Sequence, residues 1–108
     1  MSTAISAREK AALERLIRIA HADTGQSRMT AEFLLSWWNA ANCGGFDLTT
    51  LWGVNGEIAD DMVTVFAFVA KCHRYPDDLG YGDEFRRMVH AWRPALKHGW
   101  GLAEQKNS

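Results

Sequence analysis

Hydrophobic residues recur every three or four positions in four separate stretches of the chain, which is the spacing of amphipathic helices. Ser6 and Glu9 have the spacing of a capping box and open the first stretch, so a helix is predicted over residues 6–22. Gly25 is expected to end this helix in a left-handed conformation. The apolar positions of the helix are Leu13, Leu16, Ile17 and Ala20.

A second helix is predicted to begin at Ser27 or Thr30 and to end at the glycine pair 44–45. Its apolar face holds Phe33, Leu34, Trp37 and Ala41. Asp47 follows as the expected cap of a short helical turn that packs as a lid on the helices. This turn carries Leu48, Leu51 and Trp52.

The third stretch is the most hydrophobic and predicts the central helix of the fold. Its helical repeat consists of Ile58, Met62, Val65, Phe66 and Val69. Ala67 and Phe68 widen this face, so the helix is expected to be buried nearly all round. Tyr75-Pro76 is predicted to end it, because proline disfavours helical geometry in the residue before it. Residues 77–82 are predicted to form a loop.

Asp83 is the predicted cap of a fourth helix, which ends just before Pro94. The residues expected to face inward are Phe85, Met88, Val89 and Trp92, with Arg86, Arg87 and Arg93 facing outward. Strand-like alternation is not evident. The predicted fold is therefore all-α: a small bundle of four main helices plus one short helical turn, forming a single domain over residues 1–94. Residues 95–108 are expected to form a partly ordered tail, whose Trp100 docks back onto the helical domain.

Length and charge limit the classes of function that the chain can have. The 108 residues suit one domain, and a net charge of −1 is unlike that of a protein held mainly by phosphates. The charge is uneven: residues 43–84 hold two bases and eight acids, whereas residues 85–108 hold five bases and one acid. Either the acidic and basic regions neutralise each other across solvated faces, or the acidic region meets a basic partner. Two cysteines, no signal-peptide pattern and no membrane-length apolar run predict a cytoplasmic protein.

Two short motifs resemble catalytic signatures, but their context opposes enzymatic readings. Asp23-Thr24-Gly25 is the tripeptide of aspartic proteases, whose all-β fold conflicts with the helices predicted on both sides. Gly82-Asp83-Glu84-Phe85 resembles the signature of diguanylate cyclases but lacks its first glycine and flanking strands. The cysteines and histidines lack the spacing of metal ligands. We therefore predict a non-enzymatic protein with no catalytic residues, no cofactor and no metal, although an unrecognised enzyme remains a third possibility.

The five tryptophans are the most unusual feature of the composition. Trp37 and Trp38 are adjacent, so one helix face cannot bury both equally. One interpretation is that the turn at residues 47–52 covers the second indole. The other is that it is exposed as an anchor for another protein or for a second copy of the chain. The predicted partner-binding residues are Trp38, Trp52, Asp77, Asp78 and Tyr81.

The alternative function is DNA or RNA binding by the basic fourth helix. The residues that would contact phosphates are Arg86, Arg87, Arg93 and Lys97. So few contacts give weak, salt-sensitive binding, and the acids in the preceding loop repel phosphate. Nucleic acid is therefore the less expected partner.

Four segments together resemble a family of small uncharacterised bacterial proteins that are often encoded on integrative and conjugative elements or other mobile DNA. These segments are 23–27 (DTGQS), 33–39 (FLLSWWN), 44–47 (GGFD) and the stretch from 75–81 (YPDDLGY) to 92–94 (WRP). The resemblance covers about residues 12–94. It implies a bacterial, cytoplasmic setting, in which small helical proteins serve as adaptors, regulators or inhibitors, including anti-defence proteins. It carries over no catalytic or binding residue.

Overall fold

The computed structural model describes residues 4–96, which form four α-helices and three short 3-10 turns. The helices are α1 (Ala7–Ala20), α2 (Gly25–Cys43), α3 (Gly56–Lys71) and α4 (Gly82–Trp92). The 3-10 turns span Leu48–Gly53, Pro76–Leu79 and Pro94–Leu96. The prediction of a small all-α bundle is confirmed. Ala95 and Leu96 belong to the last turn, whereas the rest of the predicted tail, with Lys97 and Trp100, lies outside the described residues.

The predicted capping box at the start of α1 is confirmed. The backbone N–H of Glu9 donates to Ser6 Oγ at 3.1 Å, and that of Ser6 donates to Glu9 Oε1 at 2.9 Å. The prediction that Gly25 ends this helix is wrong. Thr24 Oγ1 accepts from the backbone N–H of Ser27 at 3.0 Å, so Thr24 caps α2 and Gly25 is the first residue of α2. Thr30 Oγ1 donates to the carbonyl of Gln26 at 2.7 Å, so Thr30 lies within α2 and is not its cap.

The central helix is α1, and the prediction that α3 is central is wrong. α1 packs against both α2 and α3, α4 packs against α2, and α2 and α3 meet only slightly. Partly buried polar contacts between helices fix this arrangement. Arg15 of α1 donates from Nε and Nη2 to the two oxygens of the buried Asp61 carboxylate on α3, each at 2.8 Å. Trp92 of α4 donates from Nε1 to the carbonyl of Ala20 at 2.8 Å, which satisfies an end carbonyl of α1.

The prediction that α3 is buried nearly all round is also wrong. Ile58, Met62 and Val65 face the core, but Phe66 is 62% exposed. Val63 on the same helix is 59% exposed. α3 lies at the edge of a globule only 20 Å thick, about two helix diameters, so its outer side is left largely uncovered by residues 4–96.

The segment before α4 is more ordered than the predicted loop. Pro76–Leu79 forms a 3-10 turn, and Gly80 then adopts a left-handed conformation with φ of 95°. Tyr81, rather than Asp83, is the N-cap of α4, and Asp83 lies in the first turn, where a negative charge favours the helix dipole. None of the described helices combines the length and the apolar character needed to span a membrane.

Candidate partner-binding cleft

A bend in α2 creates a cleft between this helix and the segment that follows α3. Asn39 departs from helical geometry, with φ of −163° and ψ of 78°. The helix restarts immediately, because Asn39 Oδ1 accepts from the backbone N–H of Asn42 at 3.2 Å as an N-cap would. The last turn of α2 is thereby offset from the rest of the helix, and a recess opens beside residues 37–41.

The two adjacent tryptophans attach this bend to the segment that follows α3. Trp38 Nε1 donates to Asp77 Oδ1 at 2.6 Å, and Trp37 Nε1 donates to the carbonyl of Arg74 at 3.2 Å. Both indoles also pack edge-to-face on Phe85 of α4, with ring centroids 6.1 Å away for Trp37 and 5.7 Å for Trp38. The two indoles therefore form the base of the cleft, held by the segment after α3 and by Phe85 of α4.

The cleft formed by these elements has a volume of about 520 Å³. α2 provides one wall, with Trp37, Trp38, Asn39, Ala40 and Ala41, and the segment after α3 provides the other, with Tyr75, Asp77 and Asp78. Both aspartates are exposed, and the Tyr75 side chain is 60% exposed. Tyr75 has extended backbone geometry, with ψ of 160°, as expected for a residue before proline.

Carboxylates beside aromatic rings form an environment suited to a cation. Ring faces attract ammonium and guanidinium groups, and carboxylates bind guanidinium through charge-assisted hydrogen bonds. Asp77 Oδ1 is occupied by the Trp38 indole, but Oδ2 of the same carboxylate lies outside that bond. Asp78 Oδ2 accepts from the backbone N–H of Tyr75 at 3.4 Å, a long bond that orients the carboxylate. The volume falls within the range of small-ligand sites, roughly 300–1,000 Å³.

Three of the predicted partner-binding residues meet in this cleft, and two do not. Trp38, Asp77 and Asp78 line it, but Trp38 is buried at 8% exposure and is therefore not an exposed anchor. The prediction that the turn at residues 47–52 covers an indole is wrong, because Phe85 and the segment after α3 cover both. Trp52 is 85% exposed on that turn, away from the cleft lining.

Tyr81 has a structural role rather than a place in the cleft. Its hydroxyl donates to Glu14 Oε2 at 2.7 Å and joins α4 to α1. Partial burial, and then the Glu14 carboxylate, raise the pKa of Tyr81. The Lys10 ammonium, 2.6 Å away from Glu14 Oε2, and the Tyr81 hydroxyl lower the pKa of Glu14.

The cleft also contains Trp37 and Tyr75, which are not among the predicted partner-binding residues. The signal for Tyr75 was its place before Pro76, which holds the backbone extended and keeps the residue out of the helix. The bend at Asn39 has no comparable signal, because the sequence around it reads as an uninterrupted amphipathic helix.

The basic residues of α4 do not form one free surface. Arg93 donates from Nε to the carbonyl of Cys43 at 2.9 Å and from Nη1 to the carbonyl of Trp92 at 2.8 Å, so it holds the ends of α2 and α4 together. Arg86 pairs with Asp83 at 2.6 Å and lowers the pKa of that carboxyl. Arg87 is exposed.

A model of the family of unknown function DUF7673 matches residues 10–93, so the chain belongs to that family. No curated protein matches the chain. No solved structure matches it either.

Proposed function

We propose that this DUF7673 protein is a non-enzymatic protein-binding module that takes a lysine or arginine side chain of its partner into the cleft at the α2 bend. The observation that carries the proposal is the combination of two exposed carboxylates, Asp77 and Asp78, with the exposed ring of Tyr75 on one wall. The surplus of acids in residues 43–84 adds long-range attraction for a basic partner.

The strength of the interaction follows from its parts. A cation over an exposed aromatic ring contributes about 0.5–1 kcal/mol, and an exposed ion pair contributes about 0.2–1 kcal/mol. One ring and two carboxylates therefore contribute about 1–3 kcal/mol together, so a single side chain in the cleft binds with a Kd of about 10–200 mM. A protein partner must add contacts around the cleft to bind tightly, with the cationic side chain setting specificity.

The direct test is an NMR titration of the ¹⁵N-labelled protein with the peptide acetyl-Gly-Arg-Gly-amide. The indole N–H signals of Trp37 and Trp38 report on the base of the cleft and should shift as the peptide binds. The matched control peptide contains citrulline, which has nearly the shape of arginine but no charge, and should bind at least about 10-fold more weakly.

Matched variants locate the binding. Asp77→Asn and Asp78→Asn remove charge from the cleft and should each weaken arginine binding several-fold. Asp83→Asn removes the same charge from α4 and should leave binding unchanged. Equal binding of the two peptides, or equal binding by the three variants and the wild-type chain, would refute the proposal.

The biological setting of the proposal rests on the resemblance of segments such as 33–39 and 75–81 to bacterial proteins of mobile elements. We place the protein in the bacterial cytoplasm, as an adaptor, regulator or inhibitor encoded on mobile DNA, with an anti-defence role as one form of this. Deletion of the gene in such an element should change transfer of the element or its survival in a host, and the Asp77→Asn, Asp78→Asn double variant should reproduce the effect.

The alternative, nucleic-acid binding through α4, has less support. Two of its described arginines, Arg86 and Arg93, make contacts within the protein, which leaves Arg87 as the most available of the three. The observation in favour of the alternative would be nucleic acid that co-purifies at low salt and is lost at high salt.

A further inference from the structure

The outer side of α3 is a second surface, separate from the cleft, and it is apolar in the middle and charged at its ends. Beyond the first turn of α3, its exposed residues are Asp60, Val63, Phe66, Ala67, Ala70 and Lys71. Between Asp61 and Lys71 the helix contains no charged residue. Beside it, Phe66 and Val63 form one side of an apolar hollow of about 170 Å³, and Leu48, itself 66% exposed, forms part of the other.

The charges on this surface are arranged with opposite signs at opposite ends. Asp60 lies five residues before Val65, and Lys71 lies six residues after it. At 1.5 Å per residue these separations are about 8 Å and 9 Å along the helix axis. A two-fold axis perpendicular to the helix, level with residues 65–66, therefore places Asp60 of each copy opposite Lys71 of the other copy.

We infer that α3 pairs antiparallel with α3 of a second copy of this chain, with Val63 and Ala67 at the centre of the contact and reciprocal Asp60–Lys71 ion pairs at its ends. Closed two-fold contacts of this kind are the commonest form of self-association. The small side chains of Ala67 and Ala70 allow close approach of the two helices, and their antiparallel dipoles attract.

The internal contacts of the two charged residues permit this pairing. Lys71 Nζ lies 2.5 Å from Glu9 Oε2, yet the Lys71 side chain is 60% exposed, and its ammonium has two further N–H donors. Asp60 is exposed and takes part in none of the ion pairs formed within residues 4–96. One helix face is smaller than the roughly 800 Å² per partner of a standard stable interface, so the dimer should dissociate in the micromolar to millimolar range.

Sedimentation equilibrium of the full chain from about 10 µM to about 1 mM tests the inference. The wild-type chain should shift from monomer towards dimer across this range. Ala67→Glu places a charge at the centre of the contact, and Asp60→Lys turns the ion pairs into repulsions; both changes are at exposed positions and should leave folding intact. Each should weaken dimerisation by at least about 10-fold.

Two controls on α4, which packs against α2 rather than α3, match these changes in kind. Ala91→Glu and Asp83→Lys should dimerise like the wild-type chain. Higher salt should weaken the dimer because it screens the end pairs. A wild-type chain that stays monomeric to 1 mM, a dimer that survives Ala67→Glu and Asp60→Lys, or a dimer strengthened by salt would each overturn the inference. Arginine-peptide binding by the cleft is independent of all of these outcomes.

Discussion

The hydrogen bond between Trp38 and Asp77 is expected to stabilise the fold as well as to form the base of the cleft. A hydrogen bond to a charged group contributes about 1.5–3 kcal/mol when it is sheltered from water. The indole is buried, but Asp77 is exposed, so water competes for the carboxylate. We therefore expect a coupling energy of about 1 kcal/mol, towards the lower end of hydrogen-bond contributions.

A double-mutant cycle isolates this coupling from the other effects of each substitution. Trp38→Phe removes the donor and some buried volume, for which we expect a loss of about 2 kcal/mol in the free energy of unfolding. Asp77→Ala removes the acceptor and should cost about 1 kcal/mol. The double variant should lose about 1 kcal/mol less than the two single losses added together.

Urea unfolding followed by circular dichroism measures all four proteins, because a small domain is expected to unfold in two states. Additive losses, with a coupling below about 0.3 kcal/mol, would show that the indole does not bind Asp77 in solution. The base of the cleft would then have a different structure from the one described.

Three further predictions concern other contacts. The Lys71 ammonium lowers the pKa of Glu9 in the folded state, so the pair stabilises the fold above pH 4.5 and loses that contribution as pH falls through the folded pKa. In urea unfolding from pH 7 to pH 3, Glu9→Gln should make the free energy of unfolding fall less steeply. The same steepness in both proteins would contradict the assignment. Phe85→Ala should cost about 3–5 kcal/mol in the same assay, since Phe85 is fully buried against both indoles, and a loss under 1 kcal/mol would refute that packing. Arg93→Met should lower the free energy of unfolding by about 1–2 kcal/mol, because it leaves the Cys43 carbonyl without its guanidinium donor. If Arg93 served only to bind nucleic acid, the substitution would leave the free energy of unfolding unchanged.

The helices were predictable because their signals are local. The capping box at Ser6 and Glu9, the cap at Asp47 and the apolar repeats depend on residues three or four positions apart. The interpretation of Gly25 failed because glycine suits either end of a helix, and the neighbouring Thr24 decides which end is formed.

The surfaces were less predictable, because they depend on which helices become neighbours. α3 has enough apolar residues for burial on all sides, and only its position at the edge of the bundle leaves Val63 and Phe66 exposed. The cleft was predictable in part: Asp77 and Asp78 stand out as acids in a turn. The contact of Asp77 with Trp38 lies beside the bend at Asn39, which is 38 residues earlier in the chain. The sequence around Asn39 holds no local signal for this bend.

Selection from a displayed library of random peptides, with the wild-type chain as bait and the Asp77→Asn, Asp78→Asn double variant as the matched control, is the most direct test of the central claim. The account predicts that the wild-type chain enriches peptides with a lysine or arginine at one fixed position and that the double variant loses this preference. Enrichment of neutral or acidic peptides, or the same basic preference in both baits, would contradict a cleft that recognises a cationic side chain.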